Sequence, residues 1–411
     1  MVLLRGDHGC LQLPRRMRVR GRRDRSSDWA ALLPVLTRVD MRRIAQAFLV
    51  VLFVASAAAA TPPPPAASDE RPAIRAVRLP FVVPGDGAQA VRADAKGRAR
   101  VLTQRLELFA LEGTSGLHEA GALKTVETTR PPFLPALSSD GCCWLVNTSS
   151  GALVLFEGEE GKLLPKPPVP ADLVLLAGDD PLVGTVLSAA MLDMFPERER
   201  DEPPLLWTLS GSEWRPLLNL PEAEEASRTD TELALTSSVV IAADAKGRVW
   251  VADEFAYAVR KLSPAGSKVI EVIDPQVREP AEASAEAQKR LEDQLVATGV
   301  RPERITDAIA MPSPLVRAMT TWAGDAFLLL QLRGGGDWAL DRIDGSSGDV
   351  RRVRVTIDQP ERIRTMAATA DGLVLAAARA RDGLFLLAWD ELEPAWTEVP
   401  GLERTRGAEE E

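Results

Sequence analysis

The chain has 411 residues, and its 49 basic and 59 acidic residues are unevenly distributed. Residues 1–43 carry a net charge of +7, whereas the chain from Thr61 onward carries a net charge of −17. Such an acidic body argues against nucleic acid and anionic lipid as ligands, because both are bound through clustered Lys and Arg. Histidine occurs only at positions 8 and 118, which excludes a three-histidine zinc site and a catalytic relay with a second body histidine.

Residues 41–60 have the three parts of a secretory signal. A methionine and two arginines precede an apolar run, and small residues follow that run. The pattern predicts cleavage between Ala60 and Thr61, and therefore a secreted or periplasmic bacterial protein with no stable membrane span. If the signal were not cleaved, it would remain as an anchor oriented by its positive charges.

The rest of the chain divides by composition. Residues 1–40 have no sustained periodicity, and we interpret them as a mis-assigned start before a true start at Met41; the alternative is a basic cytoplasmic tail. A linker rich in Pro and Ala follows at 61–73. We expect the folded domain at 74–401 and an acidic disordered tail at 402–411.

Residues 241–273 contain four short strands separated by turns. The first turn lies at Asp244 and Gly247, because Asp can hydrogen-bond the nearby backbone and Gly tolerates a positive φ. Four such strands within about 40 residues are typical of one propeller blade.

The same turn recurs along the body, and the hexapeptide ADAKGR occurs at both 93–98 and 243–248. The turn aspartates are Asp94, Asp140, Asp180, Asp244, Asp325 and Asp371, at spacings of 46, 40, 64, 81 and 46 residues. The short spacings match one blade, and the long ones match a blade with an insertion. The sequence therefore predicts an all-β propeller of six four-stranded blades. Residues 75–83 are expected either to close the ring beside the last blade or to begin a seventh.

Residues 241–273 resemble an NHL repeat, the unit of a group of six-bladed propellers, and elsewhere the resemblance lies mostly in the D-x-x-G turn. In NHL repeats the segment after the second strand is a loop at the rim. The resemblance thus implies rim positions for Asp253, Glu254, Tyr257 and Arg260. These four are the candidate binding residues, and a solvated turn without a binding role is the alternative.

Three stretches do not fit the repeat. They are 191–204 within blade 3, 221–235 between blades 3 and 4, and 275–314 between blades 4 and 5. The last includes an amphipathic pattern that predicts one α-helix. Because connections alternate between the two faces of a propeller, all three insertions are expected on one face. That face is a candidate recognition surface, and tolerated decoration is the alternative.

The body offers few residues for catalysis. Cys142 and Cys143 are adjacent, so a disulfide between them is disfavoured, and we expect buried free thiols. His118 is expected on the surface of a strand. Asn147 and Asn219 are the only asparagines, and neither fits the cation-binding motif of the gluconolactonase-type propellers.

These observations favour a monomeric, exported binding protein without catalytic residues, cofactor or metal. It would recognise a protein, peptide or glycan through its loop-rich face. The alternative function is a metal-dependent hydrolase of the propeller lactonase type, which would hold Ca²⁺ through carboxylates at the channel mouth.

Mass spectrometry of the exported protein should find Thr61 as the mature N-terminal residue. Signal peptidase requires small side chains before the cleaved bond, so Ala60→Phe should leave the precursor uncleaved. A mature protein that retains Met1 would contradict the prediction.

Overall fold

The computed structural model describes residues 73–407, all within the second of the two units into which the chain divides, 50–411. The range has gaps at 85–86, 95, 104, 125–134, 139, 149–150, 179, 189–191, 193–194, 220–234, 276–280, 283–311, 314, 333–337, 359–362 and 378–382. The leader, the signal with its Ala60–Thr61 site and nearly all of the linker lie outside the described residues. The predicted helix of the third insertion, at 281–299, also lies outside them apart from its first two residues, Ala281–Glu282, which form a short strand.

Six antiparallel sheets follow one another along the chain, and we number them as blades 1 to 6. In each blade the strands lie side by side in chain order, innermost first. The strands are Ala88–Ala93, Ala99–Thr103, Glu107–Glu112 and Gly116–Ala122 in blade 1; Pro135–Leu137, Cys143–Asn147, Leu153–Glu157 and Glu160–Leu163 in blade 2; Leu173–Ala177, Asp180–Gly184, Pro204–Ser210 and Glu213–Asn219 in blade 3; Val239–Ala243, Val249–Asp253, Ala258–Leu262 and Lys268–Ile273 in blade 4; Val316–Trp322, Asp325–Gln331, Trp338–Ile343 and Val350–Thr356 in blade 5; and Ile363–Ala368, Gly372–Ala377 and Leu384–Ala388 in blade 6.

The blades form a closed ring. The innermost strand of every blade contacts that of the next blade, and blade 6 contacts blade 1 in the same way. Val77–Arg78 pairs antiparallel with Leu384–Ala388 and supplies the fourth strand of blade 6. The prediction of a six-bladed propeller is confirmed, and residues 75–83 close the ring rather than begin a seventh blade.

Both ends of the domain add strands to outer edges of the ring. Ile74–Arg75 pairs in parallel with the outer strand of blade 5, and Thr397–Glu398 pairs with that strand too. Glu403–Arg406 pairs antiparallel with the outer strand of blade 4. The expected disordered tail at 402–411 is therefore corrected, since its first part is a strand; residues 408–411 lie outside the described range.

Helices are short in the described chain. They are Glu197–Asp201, Trp389–Leu392 and the 3₁₀ turn Glu393–Ala395. Among the described residues, no helix combines the length and the hydropathy needed to cross a membrane.

The repeated turn has the same geometry in both copies of ADAKGR. One carboxylate oxygen of Asp94 accepts the backbone N–H groups of Lys96 and Arg98, each at 3.0 Å, and the other accepts Arg98 Nε at 2.7 Å. Asp244 makes the equivalent three bonds at 2.9, 3.0 and 2.7 Å. All six predicted turn aspartates lie where the first strand of a blade gives way to the second, which confirms the register inferred from their spacing.

A buried charged network joins blades 4 and 5. The Tyr257 hydroxyl donates to Asp341 Oδ2 at 2.6 Å, and Arg352 donates to both oxygens of Asp341 at 2.7 and 2.8 Å. The Arg352 guanidinium lies 5.8 Å from the centre of the Tyr257 ring. Asp341 is 0% exposed, so its charge depends on these donors for stabilisation.

Asp341→Asn should lower the free energy of unfolding by about 3 kcal/mol, because it leaves the largely buried Arg352 charge without its partner. Urea-induced unfolding of the purified protein measures the change. Asp358→Asn in the same blade is the matched control, since the Asp358 side chain is 62% exposed and lies 3.6 Å from the exposed Arg75. The control should change stability by less than about 0.5 kcal/mol, and equal effects of the two variants would contradict a structural role for the network.

Candidate functional site

The ring has two unlike faces, and we name them by their connections. The insertion face carries the loops between second and third strands and the passages from one blade to the next. The turn face carries the turns between first and second strands and between third and fourth strands. An insertion of either of the first two kinds must therefore lie on the insertion face.

Two of the three insertions meet on the insertion face. Leu187–Ser188, which leads into the insertion of blade 3, pairs antiparallel with Leu235–Ser237, which ends the insertion between blades 3 and 4. Strand pairing requires direct contact, so these two insertions lie on one face, as the sequence predicts. The prediction is confirmed for the described ends of both segments.

The third insertion enters and leaves on the same face, next to Glu254. The Glu254 backbone N–H donates to the Ser238 carbonyl at 3.0 Å, and its carbonyl accepts from Leu315 N at 2.7 Å and Val316 N at 3.0 Å. Glu254 thus joins the passages into blades 4 and 5. Ala281–Glu282 pairs with Pro312–Ser313, which holds the two ends of the third insertion side by side.

The turn face is closely packed around the channel. A Cβ atom added to Gly97 would lie 2.6 Å from the Trp322 ring and 2.7 Å from the Ala370 backbone nitrogen. Gly97 belongs to blade 1 and Trp322 to blade 5, so the indole reaches past blade 6 to the turn of blade 1. The indole therefore covers part of the turn face beside the channel.

Three carboxylates, those of Asp172, Asp253 and Glu254, lie largely buried on the insertion face of blades 3 and 4. Asp172 accepts the Val186 N–H at 2.7 Å and the Thr185 hydroxyl at 3.2 Å, and burial raises the pKa of Asp172 to about 6. Glu254 accepts the Ser238 hydroxyl at 2.5 Å. Burial raises the pKa of Glu254 too, against the opposing effects of the Ser238 bond and the Arg317 charge.

Of the four predicted rim residues, the structure brings two to the insertion face. Asp253 ends the second strand of blade 4, where it accepts the N–H groups of the next turn at 2.8 and 3.0 Å, and Glu254 follows it. Burial raises the pKa of Asp253 above its usual range. A binding role for this pair stays a prediction.

The other two predicted residues lie elsewhere. Tyr257 is 2% exposed and its hydroxyl bonds Asp341, so the expectation of a solvated turn is wrong at this position. Arg260 lies within the third strand of blade 4, where its Nε donates to Glu271 on the outer strand at 2.8 Å. Both side chains take part in contacts within and between blades.

Sequence analysis missed the charged residues of the innermost strands. Arg317 lies in the first strand of blade 5, and its guanidinium donates to Gln331 Oε1 at 3.0 and 3.3 Å and lies 5.9 Å from the centre of the Trp338 ring. Arg92 and Arg364 lie in the first strands of blades 1 and 6. The available signal was one arginine as the only charged residue of each strand, because such a residue must reach solvent or a polar partner.

The two body cysteines differ from the expectation of buried thiols. Cys142 is exposed in the turn before its strand, and Cys143 is half-buried, with the two Sγ atoms 3.1 Å apart. The Cys142 thiol donates to Asp140 Oδ2 at 2.8 Å, and this bond is the main reason why the pKa of Cys142 rises to about 12. His118 lies exposed on the outer strand of blade 1, as predicted.

Asp172→Asn should stabilise the protein increasingly as pH rises. The native carboxyl, with a pKa of about 6, holds its proton more tightly than the unfolded chain does, so its contribution to stability is full below about pH 4 and is lost as pH rises through 6. An Asn can accept the same two hydrogen bonds without ionising.

The difference in unfolding free energy between the Asp172→Asn variant and the unsubstituted protein should therefore grow by about 2–3 kcal/mol from pH 4 to pH 7. Urea titrations at the two pH values measure this difference. A difference that does not change with pH would show that Asp172 is not held against ionisation.

Comparisons with known proteins add little beyond the fold. No protein-family model matches the chain, and no curated protein matches it. In the described part of the chain, no group of three or more His, Cys, Asp or Glu side chains could hold a metal ion.

Among solved structures, the β-propeller domain of Cps50 (Swd1) from Myceliophteria thermophila is 11% identical. The alignment has a TM-score of 0.38 and covers 75% of this chain and 98% of that one. U3-55K is also 11% identical, with a TM-score of 0.39 over 77% of this chain and 98% of that one. Neither similarity bears on function.

Proposed function

We propose that this protein is an exported, non-catalytic binding protein that recognises a protein, peptide or glycan through its insertion face. The observation that carries the proposal is the pairing of Leu187–Ser188 with Leu235–Ser237, which joins two insertions on that face. The propeller fold is consistent with a protein-interaction role, because a rigid ring positions loops that can vary without disturbing it.

The two faces differ in how much chain they carry. Turns between first and second strands are short in every blade, and those between third and fourth strands are short as well. The insertion face carries all three long segments. Additional chain at one end of a rigid scaffold is typical of binding loops.

Two further features of the proposal come from the sequence. The signal-like pattern at 41–60 supports export, and cleavage before Thr61 would release the domain. The D-x-x-G turn of blade 4, whose geometry matches its copy in blade 1, supports an NHL-type repeat. The ligand is proposed as a macromolecule because the described ends of the insertions lie on blades 3, 4 and 5.

Site-specific photo-crosslinking tests which face binds. A benzophenone amino acid placed at Arg105 or Glu202, both exposed on the insertion face, should give crosslinked adducts when the protein is exported in its native cells and irradiated. The same group at Lys246 or Ser346, both exposed on the turn face, should give none. Adducts from the turn-face positions alone would overturn the proposal.

A further inference from the structure

Three neighbouring blades share an irregularity at the channel mouth. In blades 1, 5 and 6 the innermost strand has a β-bulge at its second residue, and these residues are Gln89, Arg317 and Arg364. In the described pairings of blades 2 to 4 the innermost strand is regular. A bulge re-aims a side chain, and bulges are over-represented next to functional sites. These irregularities carry three long polar side chains, two of them cationic, in the innermost strands of one half of the ring, and the Arg317 guanidinium lies over Gln331 and Trp338 of its own blade.

A fourth polar side chain lies deeper, between blades 1 and 6. The Val91 carbonyl accepts the Arg92 Nη1 group at 2.9 Å and the Thr365 hydroxyl at 3.2 Å. Innermost strands pair on one edge only, so a carbonyl that bonds outside the sheet must face the channel. The Arg92 guanidinium, which also donates to the Thr365 hydroxyl, therefore lies on the channel wall about midway along the strand.

The charge of Arg92 is not neutralised by the described part of the chain. Its two hydrogen-bond acceptors there, a carbonyl and a hydroxyl, are both neutral. Burial lowers the pKa of Arg92 to about 10, so the side chain stays cationic at neutral pH in surroundings that disfavour the charge. Its side chain nevertheless keeps some solvent exposure, as expected of a group on the wall of a narrow channel.

The carboxylates across the mouth do not cancel this charge. Asp172 and Glu254 lie on blades 3 and 4, where their hydrogen-bond donors are the nearby Thr185, Val186 and Ser238 and not Arg92. Trp322 covers part of the turn face beside this channel. The arrangement is a channel with a cation about midway along its wall.

We infer that the channel is an anion-binding site that takes a carboxylate or phosphate group of the ligand, with Arg92 as its main contact. This inference rests on the proposed function, because the insertion face would deliver the rest of the ligand. A planar guanidinium offers two parallel N–H donors to either oxyanion, and such a pair is strongest where water is excluded.

Thermal unfolding with small anions tests the site. Sodium phosphate and sodium succinate are the two probes, each compared with sodium chloride at equal ionic strength. The unsubstituted protein should show a saturable rise in Tm with at least one probe, because a ligand that binds only the native state stabilises it. Phosphate and succinate as separate arms distinguish the two oxyanions. A response no larger than that to chloride would overturn the inference.

Arg92→Met should bind the effective probe at least about tenfold more weakly by calorimetry, because it removes the charged donors. Without added anion it should be as stable as the unsubstituted protein or more so, since it removes a desolvated charge; a purely structural arginine would give the opposite result. Arg215→Met is the matched control, because Arg215 is 66% exposed on the outer strand of blade 3. Unchanged affinity in Arg92→Met would overturn the inference.

Arg92→Lys decides the matter if the Met variant does not fold. Lysine retains the positive charge but loses the two parallel N–H donors of the guanidinium. Weaker anion binding with unchanged stability would therefore support the site, and unchanged anion binding would overturn it. Crosslinking from position 202, in protein that keeps Arg92, separates the two proposals. Adducts without any anion response would support the proposed function and overturn the anion site. An anion response without adducts would support the anion site and overturn the proposed function.

Discussion

Ring closure is the constraint on which the rest of the structure depends. Val77–Arg78 must pair with Leu384–Ala388 before blade 6 has four strands. The core between blades 1 and 6 then unites residues from both ends of the domain, such as Val91 and Val374. Each blade buries apolar side chains against its two neighbours, so an open ring would expose two such surfaces to water. Closure also sets a high contact order, because partners about 300 residues apart must meet.

Once the ring is closed, the connections between its strands give the two faces different roles. The turn face is restricted by packing, since even a methyl group on Gly97 would collide with residues of blades 5 and 6. The insertion face tolerates added chain because its connections leave the ring. Backbone bonds from Glu254 to the passages on either side show how one loop can hold both passages in place. Rigidity on one face thus permits variation on the other, without any change in the six blades.

The sequence could predict what depends on local pattern. Strand alternation and a repeated aspartate turn are set by nearby residues, so Asp94 and Asp244 fall where the spacing places them. Tyr257 could not be placed in this way, because its burial depends on Asp341 in the neighbouring blade. The strand Glu403–Arg406 was missed for a similar reason: its charged residues resemble a tail, and only the free edge of blade 4 turns them into a strand. Of the four predicted rim residues, Asp253 and Glu254 reach the insertion face, because the second strand of blade 4 ends there and the loop begins.

The charge distribution explains how an acidic protein could still select an anion. A net charge of −17 on the body creates a repulsive field for highly charged anions, and salt screens that field within about 10 Å. Inside the channel, one guanidinium would attract an anion more strongly than it would on the surface, because protein walls have a lower dielectric constant than water. A ligand that presents one carboxylate or phosphate on an otherwise uncharged segment would meet little repulsion outside and strong attraction within. The acidic exterior would then contribute to specificity, because it rejects polyanions that the same arginine would otherwise bind.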